Sequence, residues 1–172
     1  MQISIYPPPK LIKVARPTID LSDRFFIQLQ QSHSDIFNAA LARFTANIAN
    51  DIGHQIQITY GQPSDELTLI KVTLKKSSQT KSQQEAYQIL TTTAGYSLSA
   101  SSETGLFRGL ATLAQIIKGG PARPYITIED QPDIAERGIM LDISRCKVPS
   151  LLTLKRLIDQ FSALKYNQLQ LY

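Results

Sequence analysis

The chain has 172 residues, 42% hydrophobic and 19% charged, a composition that predicts a soluble globular protein with one well-packed core and part of a second domain. Its apolar runs are far shorter than the roughly 20 residues of a membrane span, and its N-terminus lacks a signal-peptide pattern, so we expect no membrane partner and, as written, a cytoplasmic chain. The net charge of +4 would suit nucleic acid, but the basic residues are scattered without interleaved aromatics, which excludes nucleic acid as a partner.

The first predicted elements are two short strands, residues 11–14 and 24–30, which are rich in strand-forming residues. A helix follows, with Ser34 as its predicted N-cap and residues 50–53 as its end. Its apolar residues recur at helical spacing and predict a buried stripe of Ile36, Phe37, Ala40, Leu41, Phe44 and Ile48.

Several further strands follow this helix. Residues 55–60 alternate between apolar and polar, residues 67–74 are strand-like, and residues 85–90 and 95–99 predict a hairpin. Lys75, Lys76 and Lys81 flank a Ser/Gln-rich stretch before that hairpin, which we interpret as a solvated hairpin loop rather than a phosphate-binding patch.

A second helix is predicted after Ser101 or Ser102, with Glu103 in its first turn, where the helix dipole favours an anion. Its apolar stripe is Leu106, Phe107, Leu110, Leu113, Ala114 and Ile117, and it ends at Lys118 before Gly-Gly-Pro. A strand at 125–128 and a polar connector at 129–133 complete the first domain. Residues 1–130 therefore predict an α+β domain, a mostly antiparallel or mixed sheet with two helices on one face.

The last part of the chain predicts a strand, a helix and a second strand. The strand runs through 137–145, the helix is capped by Ser150, and the second strand is 167–172. The helix carries an apolar stripe of Leu151, Leu154, Leu157, Ile158, Phe161 and Leu164. Because such a unit needs further strands, we expect the chain to be cut inside a domain. We expect residues 137–172 to self-associate, to pack on the first domain or to stay loose.

Cysteine and histidine give no evidence of a metal or cofactor site. Cys146 is the single cysteine, and with no nearby histidine to activate it we interpret it as a small buried residue rather than a nucleophile. His33 and His54 are isolated, so we expect surface or loop positions and no bound metal.

Two segments carry a family resemblance: Gly95-Tyr-Ser-Leu-Ser with Glu103-Thr-Gly-Leu-Phe-Arg-Gly, and Ile128-Glu-Asp-Gln-Pro-Asp through Asp142-Ile-Ser-Arg145 to Lys165-Tyr-Asn-Gln-Leu-Gln-Leu-Tyr172. They resemble glycoside hydrolase family 20, the β-N-acetylhexosaminidases. The resemblance implies an N-terminal zincin-like domain at 1–130. It further implies that residues 131–172 begin the catalytic (β/α)8 TIM barrel with its first strand, first helix and second strand.

The resemblance also implies substrate-assisted retaining hydrolysis of terminal N-acetylhexosamine from glycans. The family's catalytic Asp-Glu pair follows the fourth barrel strand, so no catalytic residue is assigned here; we do not promote Asp142, Asp159, Asp130 or Asp133. We therefore expect this portion to be inactive alone. The alternative is a non-catalytic structural or interaction module of the same fold.

Arg145 is the one substrate-binding residue that the resemblance implies, through contacts with hydroxyls of the terminal N-acetyl sugar. A guanidinium after a barrel strand lies where active sites form, although an ion pair with Asp142 is the structural alternative. Cys146-Lys147 departs from the histidine and aromatic residue of many family members. Arg137 is expected to serve stability at the start of the strand, and the direction of the Tyr172 side chain is left open.

Overall fold

The computed structural model describes residues 4–20, 25–52, 56–60, 68–75, 81–118, 122–145 and 148–172. These form two compact units, Met1–Pro132 and Asp133–Tyr172. The predictions for His54, Cys146 and the turns after residues 60 and 118 lie outside the described residues. Within the described part, no helix is long and apolar enough to cross a membrane.

The first unit is a seven-stranded mixed sheet in the order β1-β7-β5-β6-β4-β2-β3. Its elements are β1 (Leu11–Asp20), β2 (Phe25–Leu29), α1 (Asp35–Ile52), β3 (Ile56–Thr59), β4 (Thr68–Leu74), α2 (Lys81–Gln84), β5 (Tyr87–Thr92), β6 (Gly95–Ala100), α3 (Glu103–Lys118) and β7 (Ala122–Asp130). In this spatial order, the first four strands (β1, β7, β5 and β6) pair antiparallel in turn. Strand β6 then pairs parallel with β4, as β4 does with β2 and β2 with β3. The predicted α+β class with a mixed sheet is confirmed.

One face of this sheet is buried beneath the two long helices. Along each central strand, alternate residues are buried, as Ile70 and Val72 are in β4 and Tyr96 and Leu98 are in β6. Helices α1 and α3 pack against each other and share one core with these strands, so both lie on the same face, as predicted. The opposite face is half-exposed and carries mainly Gln, Ser, Thr and Lys side chains.

Helix α3 carries two glycines, Gly105 and Gly109, on the side that packs against β5 and β6. A Cβ atom on Gly105 would collide with the Ala86 carbonyl oxygen, and one on Gly109 with the Leu98 side chain. The close approach of backbone therefore requires glycine at position 105, whereas a side chain at position 109 would require Leu98 to move. The apolar stripe of α3 did not indicate how closely the helix packs on the sheet at Gly105.

The prediction of a hairpin between β4 and β5 is wrong, whereas the predicted solvated loop at residues 76–80 lies outside the described residues. Strand β4 pairs parallel with β6 and β2, while β5 pairs with β6 and β7, so the segment between β4 and β5 is a crossover that contains the short helix α2. The parallel pairing buries Val72 beside Leu98, a contact that a β4–β5 hairpin could not make. Alternating apolar residues predicted the strands but not their partners.

Two predictions about α1 also need correction. Ser34 is its N-cap, since Ser34 Oγ accepts a hydrogen bond from the Phe37 N–H at 3.2 Å, but Ile36 in the predicted stripe is 84% exposed. His33 lies in the loop before the helix, as expected, yet its side chain is fully buried rather than at the surface. The burial follows from a partner 70 residues away, which sequence spacing does not show.

That partner is Glu103, whose carboxylate joins the N-termini of α1 and α3. It accepts hydrogen bonds from the Ser34 N–H at 2.8 Å and from the Ser34 hydroxyl, and it lies 3.2 Å from His33 Nδ1. Partial burial acts to raise the pKa of Glu103, but the bonds from Ser34 and the contact with His33 together hold the pKa below its ordinary value of 4.5. Glu103 therefore links the first turn of α3 to the N-cap of α1, while α3 itself is capped by Ser102, whose Oγ accepts from the Gly105 N–H at 3.1 Å.

Glu103→Gln is expected to lower the free energy of unfolding at pH 7 by about 1 kcal/mol, because a neutral amide accepts weaker hydrogen bonds. Since the folded-state pKa is depressed, this stabilisation is complete above pH 4.5 and is lost as the pH falls through the folded pKa. Urea unfolding from pH 7 to pH 3 should show the difference between variant and parent shrinking. The exposed Glu136→Gln is the control. A difference in unfolding free energy between Glu103→Gln and the parent that grows as the pH falls would contradict this account.

The second unit consists of β8 (Gly138–Leu141), α4 (Leu151–Ala163) and β9 (Gln168–Leu171). The two strands pair parallel, with Gly138 opposite Gln168 and Leu141 opposite Leu171. Ser150 caps α4, as predicted, by accepting from the Thr153 N–H at 3.2 Å. No residue of α4 is buried, so its predicted apolar stripe is at least partly exposed.

Helix α4 ends in a Schellman motif centred on a non-glycine residue. Lys165 has φ 65°, its N–H donates to Ser162 O at 3.0 Å, and the Tyr166 N–H donates to Phe161 O at 2.9 Å. The rings of Phe161 and Tyr166 meet edge to face at 6.0 Å, which is the apolar contact typical of this motif. The sequence carried no glycine to indicate this turn.

Backbone amides of β8, α4 and β9 are expected to exchange with solvent faster than those of α3, β5 and β6. The reason is that α4 has no buried residue and β8 and β9 form only a two-stranded sheet, whereas α3 lies in the main core. Deuterium exchange followed by mass spectrometry on the 172-residue chain measures both sets in one sample. Uniformly slow exchange through Leu171 would show that the second unit has a complete core.

Candidate functional site

The candidate site lies at the carboxyl ends of β8 and β9. The backbone ladder continues past both strands, because the Tyr172 N–H donates to Leu141 O at 3.0 Å and the Ile143 N–H donates to Tyr172 O at 2.8 Å. This places the segment after β8, residues 142–145, beside the segment after β9. In parallel α/β folds, side chains at such strand ends form binding sites.

Asp142 organises the turn that follows β8. Its carboxylate accepts hydrogen bonds from the Ser144 N–H at 2.8 Å and from the Ser144 hydroxyl at 2.7 Å. The Ser144 hydroxyl, then the Ser144 and Arg145 backbone N–H groups, lower the pKa of Asp142, although the group is fully exposed. Asp142 therefore stabilises this turn through its hydrogen bonds to Ser144.

Arg145 ends this turn with its side chain exposed. Only its backbone N–H reaches Asp142, and within the described residues its guanidinium makes no ion pair. The structural alternative, an Arg145–Asp142 ion pair, is therefore not what the turn shows. The planar set of five N–H donors is left available for a ligand.

Tyr172 follows β9 at the same end of the strand pair, and its side chain is 63% exposed. Both of its backbone polar groups are bonded to the β8 strand and its extension, so its position along the chain is fixed by the ladder. Tyr172 and Arg145 are thereby brought to one end of the unit. The Asp159 of α4 is exposed and belongs to no such cluster.

The opposite end of the strand pair is held by Arg137. Its guanidinium donates to Lys165 O at 2.9 and 3.0 Å and to Ile134 O at 2.7 Å. These bonds connect the segment before β8 to the turn after α4, which confirms the structural role predicted for Arg137. No carboxylate or ligand group is needed to explain its position.

Asn167 completes this arrangement and was missed in the sequence. Its side chain accepts from the Arg137 N–H at 2.8 Å and donates to Ala135 O at 2.7 Å. The available signal was an asparagine in a short helix-to-strand loop, where its side chain commonly substitutes for backbone hydrogen bonds. Asn167 positions β9 and has no part in the end that carries Arg145.

Across the described ranges, no group of three or more His, Cys, Asp or Glu side chains is arranged to hold a metal ion. The Asp130 and Asp133 carboxylates lie before β8, remote in sequence from the 142–145 turn. Asp130 is engaged by the Tyr87 hydroxyl at 2.7 Å and the Lys10 N–H at 3.2 Å. The chemistry that the arrangement around Arg145 offers is hydrogen-bond donation to an oxygen-rich ligand.

Comparison with known proteins identifies the family. The family model "Glycosyl hydrolase family 20, domain 2" matches residues 2–131. The chain belongs to glycosyl hydrolase family 20. The resemblance predicted from the sequence segments after Gly95 is therefore confirmed, and with it the classes hydrolase, glycosidase and β-N-acetylhexosaminidase for its relatives.

Three relatives show how much of the family's length the chain spans. A beta-hexosaminidase of Vibrio furnissii is 40% identical over 73 residues, which are 41% of this chain and 12% of that protein. Flavobacterium johnsoniae chitobiase is 25% identical with a TM-score of 0.75, covering 97% of this chain and 26% of that one. Streptomyces plicatus N-acetyl-beta-hexosaminidase is 25% identical with a TM-score of 0.74, covering 98% and 34%. The chain thus spans at most about a third of these relatives.

Proposed function

We propose that the chain is the N-terminal portion of a β-N-acetylhexosaminidase-like glycoside hydrolase. Residues 1–130 are its zincin-like α+β domain, and residues 131–172 are the opening strand, helix and strand of its catalytic (β/α)8 barrel. The observation that carries this proposal is a family 20 domain over residues 2–131 followed at once by a parallel strand-helix-strand unit. Parallel strands joined by a helix are the repeating unit of such barrels.

In the proposed enzyme, the substrate is a glycan that ends in N-acetylhexosamine. The 2-acetamido carbonyl oxygen attacks the anomeric carbon while a carboxylic acid protonates the leaving oxygen, and the configuration is retained after water completes the reaction. None of these roles falls on a residue of this chain. The part proposed for this chain is recognition of the terminal sugar and support of the barrel's first strands.

Arg145 is the residue proposed to recognise that sugar. Its exposure at a strand's carboxyl end, and the use of Asp142 by the turn instead of by the guanidinium, support the assignment. A planar fork of donors matches two neighbouring hydroxyls better than the point charge of an ammonium does. Asp142 positions Arg145 by holding its backbone in the turn.

Arg145→Lys in the complete protein is expected to lower kcat/KM by roughly 10- to 150-fold, the equivalent of about 1.5 to 3 kcal/mol for a hydrogen bond to a charged group. The charge is kept and the fork is removed, so the melting temperature should change little. Steady-state kinetics on an aryl N-acetyl-β-glucosaminide, with a thermal melt of each variant, measures both. Normal kinetics with a much lower melting temperature would make Arg145 a structural residue.

Arg156→Lys is the matched control, because Arg156 is also exposed in the same unit but lies on α4, away from the strand ends. It makes the same chemical change without touching the proposed sugar site. Equal losses of kcat/KM in both variants would contradict a specific role for Arg145.

A further inference from the structure

The first unit has a cavity of about 640 Å³ at one end of its sheet. Five neighbouring strands contribute their ends to it: the starts of β1 and β5 and the ends of β4, β6 and β7. We call it the strand-end cavity. Its volume is within the range of about 300 to 1,000 Å³ that small-molecule sites occupy, and it uses none of the residues around Arg145.

The walls of the strand-end cavity are held by hydrogen bonds between the contributing strands. The Lys75 N–H donates to Ala100 O at 2.8 Å, and the Lys10 N–H donates to Asp130 Oδ1 at 3.2 Å. On the helix-covered side of the sheet, the buried Tyr87 hydroxyl bonds both Asp130 and Thr112 at 2.7 Å. Because these bonds join β4 to β6, β1 to β7 and β5 to α3, the cavity is built into the fold and needs no ligand to form.

The lining of the cavity has equal numbers of basic and acidic residues. It includes two basic residues, Lys10 and Lys75, and two acidic residues, Glu129 and Asp130. A phosphate or sulfate would meet the carboxylates, and a cation would meet the lysines, so neither is favoured. An uncharged polar ligand avoids both repulsions.

The cavity also offers paired donors and acceptors. Gln88 Nε2 donates to Glu129 Oε1 at 3.1 Å, which aligns an amide and a carboxylate from adjacent strands. The free amide hydrogen and oxygen of Gln88 and the second oxygen of Glu129 can bond neighbouring hydroxyls, each of which both donates and accepts. Apolar surface from Leu11 and Ala86 also lines the cavity and suits the C–H face or acetamido methyl of a sugar.

We propose that the strand-end cavity binds uncharged N-acetylhexosamine oligosaccharides. The choice of sugar rests on the proposed function, whereas the choice of an uncharged, hydroxyl-rich ligand rests on the lining alone. Such a site would hold the enzyme on a glycan chain through its first unit. Binding is expected to be weak, because Tyr87, the aromatic residue of the lining, is only 5% exposed and offers no ring for stacking.

The test is an NMR titration of the 172-residue chain with the β-1,4-linked trimer of N-acetylglucosamine. We expect amide shifts at residues 86–88, 99–101 and 129–131, and we expect them to persist in Arg145→Lys. Cellotriose, which has the same linkage without acetamido groups, should give smaller shifts. Inorganic phosphate should neither shift these amides nor compete with the trimer.

Gln88→Ala is expected to weaken trimer binding about tenfold or more, the equivalent of one lost hydrogen bond to a charged or polar partner. Gln57→Ala is the matched control, since Gln57 is an exposed glutamine of the same sheet on β3, outside the cavity. If Gln88→Ala does not fold, the exposed Lys75→Ala at the rim replaces it, with the same expected direction.

Four outcomes would overturn the proposal: no shifts at these amides, shifts confined to residues 142–145, equal shifts with cellotriose, or displacement of the trimer by phosphate. Its failure is distinguishable from failure of the proposed enzyme function. An active complete enzyme whose cavity ignores the trimer contradicts only the cavity proposal. A cavity that binds the trimer in a protein without hydrolase activity contradicts only the enzyme.

Discussion

Replacing Glu85 with Ala is expected to lower the free energy of unfolding of the first unit by about 3 to 5 kcal/mol. Glu85 lies just before β5, and its carboxylate oxygen accepts from Arg108 Nε on α3 at 2.7 Å. The side chains are only 10% and 7% exposed. Removing the carboxylate leaves a buried guanidinium without its anion, and the cost of an uncompensated buried charge exceeds that of an exposed ion pair several-fold.

Urea unfolding followed by circular dichroism at 222 nm measures this loss. The control is the double variant Glu85→Leu/Arg108→Met, in which both charges are replaced by apolar groups of similar size. We expect it to be considerably more stable than Glu85→Ala, because replacing a whole buried pair is often nearly neutral. If both variants lose the same free energy, packing rather than charge explains the effect.

The buried Glu85–Arg108 pair could not be predicted from the sequence, although the apolar residues of α3 could. The apolar stripes predicted Leu106, Leu110 and Leu113 correctly, because burial of apolar side chains repeats with the helical period. Arg108 lies on the same helix and is buried as well, although hydrophobic periodicity does not predict burial of an arginine. Its burial depends on a carboxylate 23 residues earlier that only the fold brings near.

Arg123 gives a second case of the same kind. It is 2% exposed in β7, and it donates to the carbonyl oxygens of Ile116 and Ile117 at 2.6 and 3.2 Å. These carbonyls belong to the last turn of α3, where a cation is favoured by the helix dipole. Burial lowers the pKa of its guanidinium, opposed by the nearby Tyr96. The sequence carried no signal for this contact, because Arg123 lies before the predicted strand at 125–128.

The candidate site was more predictable than the core charges because its interactions are local. The Asp142-Ile-Ser144 spacing places a carboxylate two residues before the groups it bonds, a common turn arrangement. The caps at Ser34 and Ser150 were predicted for the same reason. Strand partners were not, since the parallel placement of β4 beside β6 depends on contacts between distant segments.

The second prediction concerns the glycosidase activity of residues 1–172. A polypeptide of residues 1–172 is expected to show no hydrolysis of aryl N-acetyl-β-glucosaminides. A positioned general acid alone contributes about 10²- to 10⁴-fold to such reactions, and stabilisation of the acetamido group adds to it. Two of the carboxylates in this chain are engaged in structural contacts, Asp142 in a turn and Asp130 with Tyr87.

Release of 4-methylumbelliferone from its N-acetyl-β-glucosaminide by the purified chain measures this directly. A buffer blank and a boiled sample set the background. Turnover that survives purification and disappears with a point mutation within residues 1–172 would contradict the account, because it would place a catalytic group in this chain.

Expression of the complete reading frame that contains these residues, followed by a comparison of two substrates, tests whether the chain is part of a β-N-acetylhexosaminidase. One is the aryl N-acetyl-β-glucosaminide, and the other is the aryl β-glucoside, which lacks the attacking acetamido group. We expect rapid hydrolysis of the N-acetyl-β-glucosaminide. Hydrolysis of the β-glucoside should be slower by orders of magnitude. A complete protein that hydrolyses neither, or both equally, would contradict the proposed function.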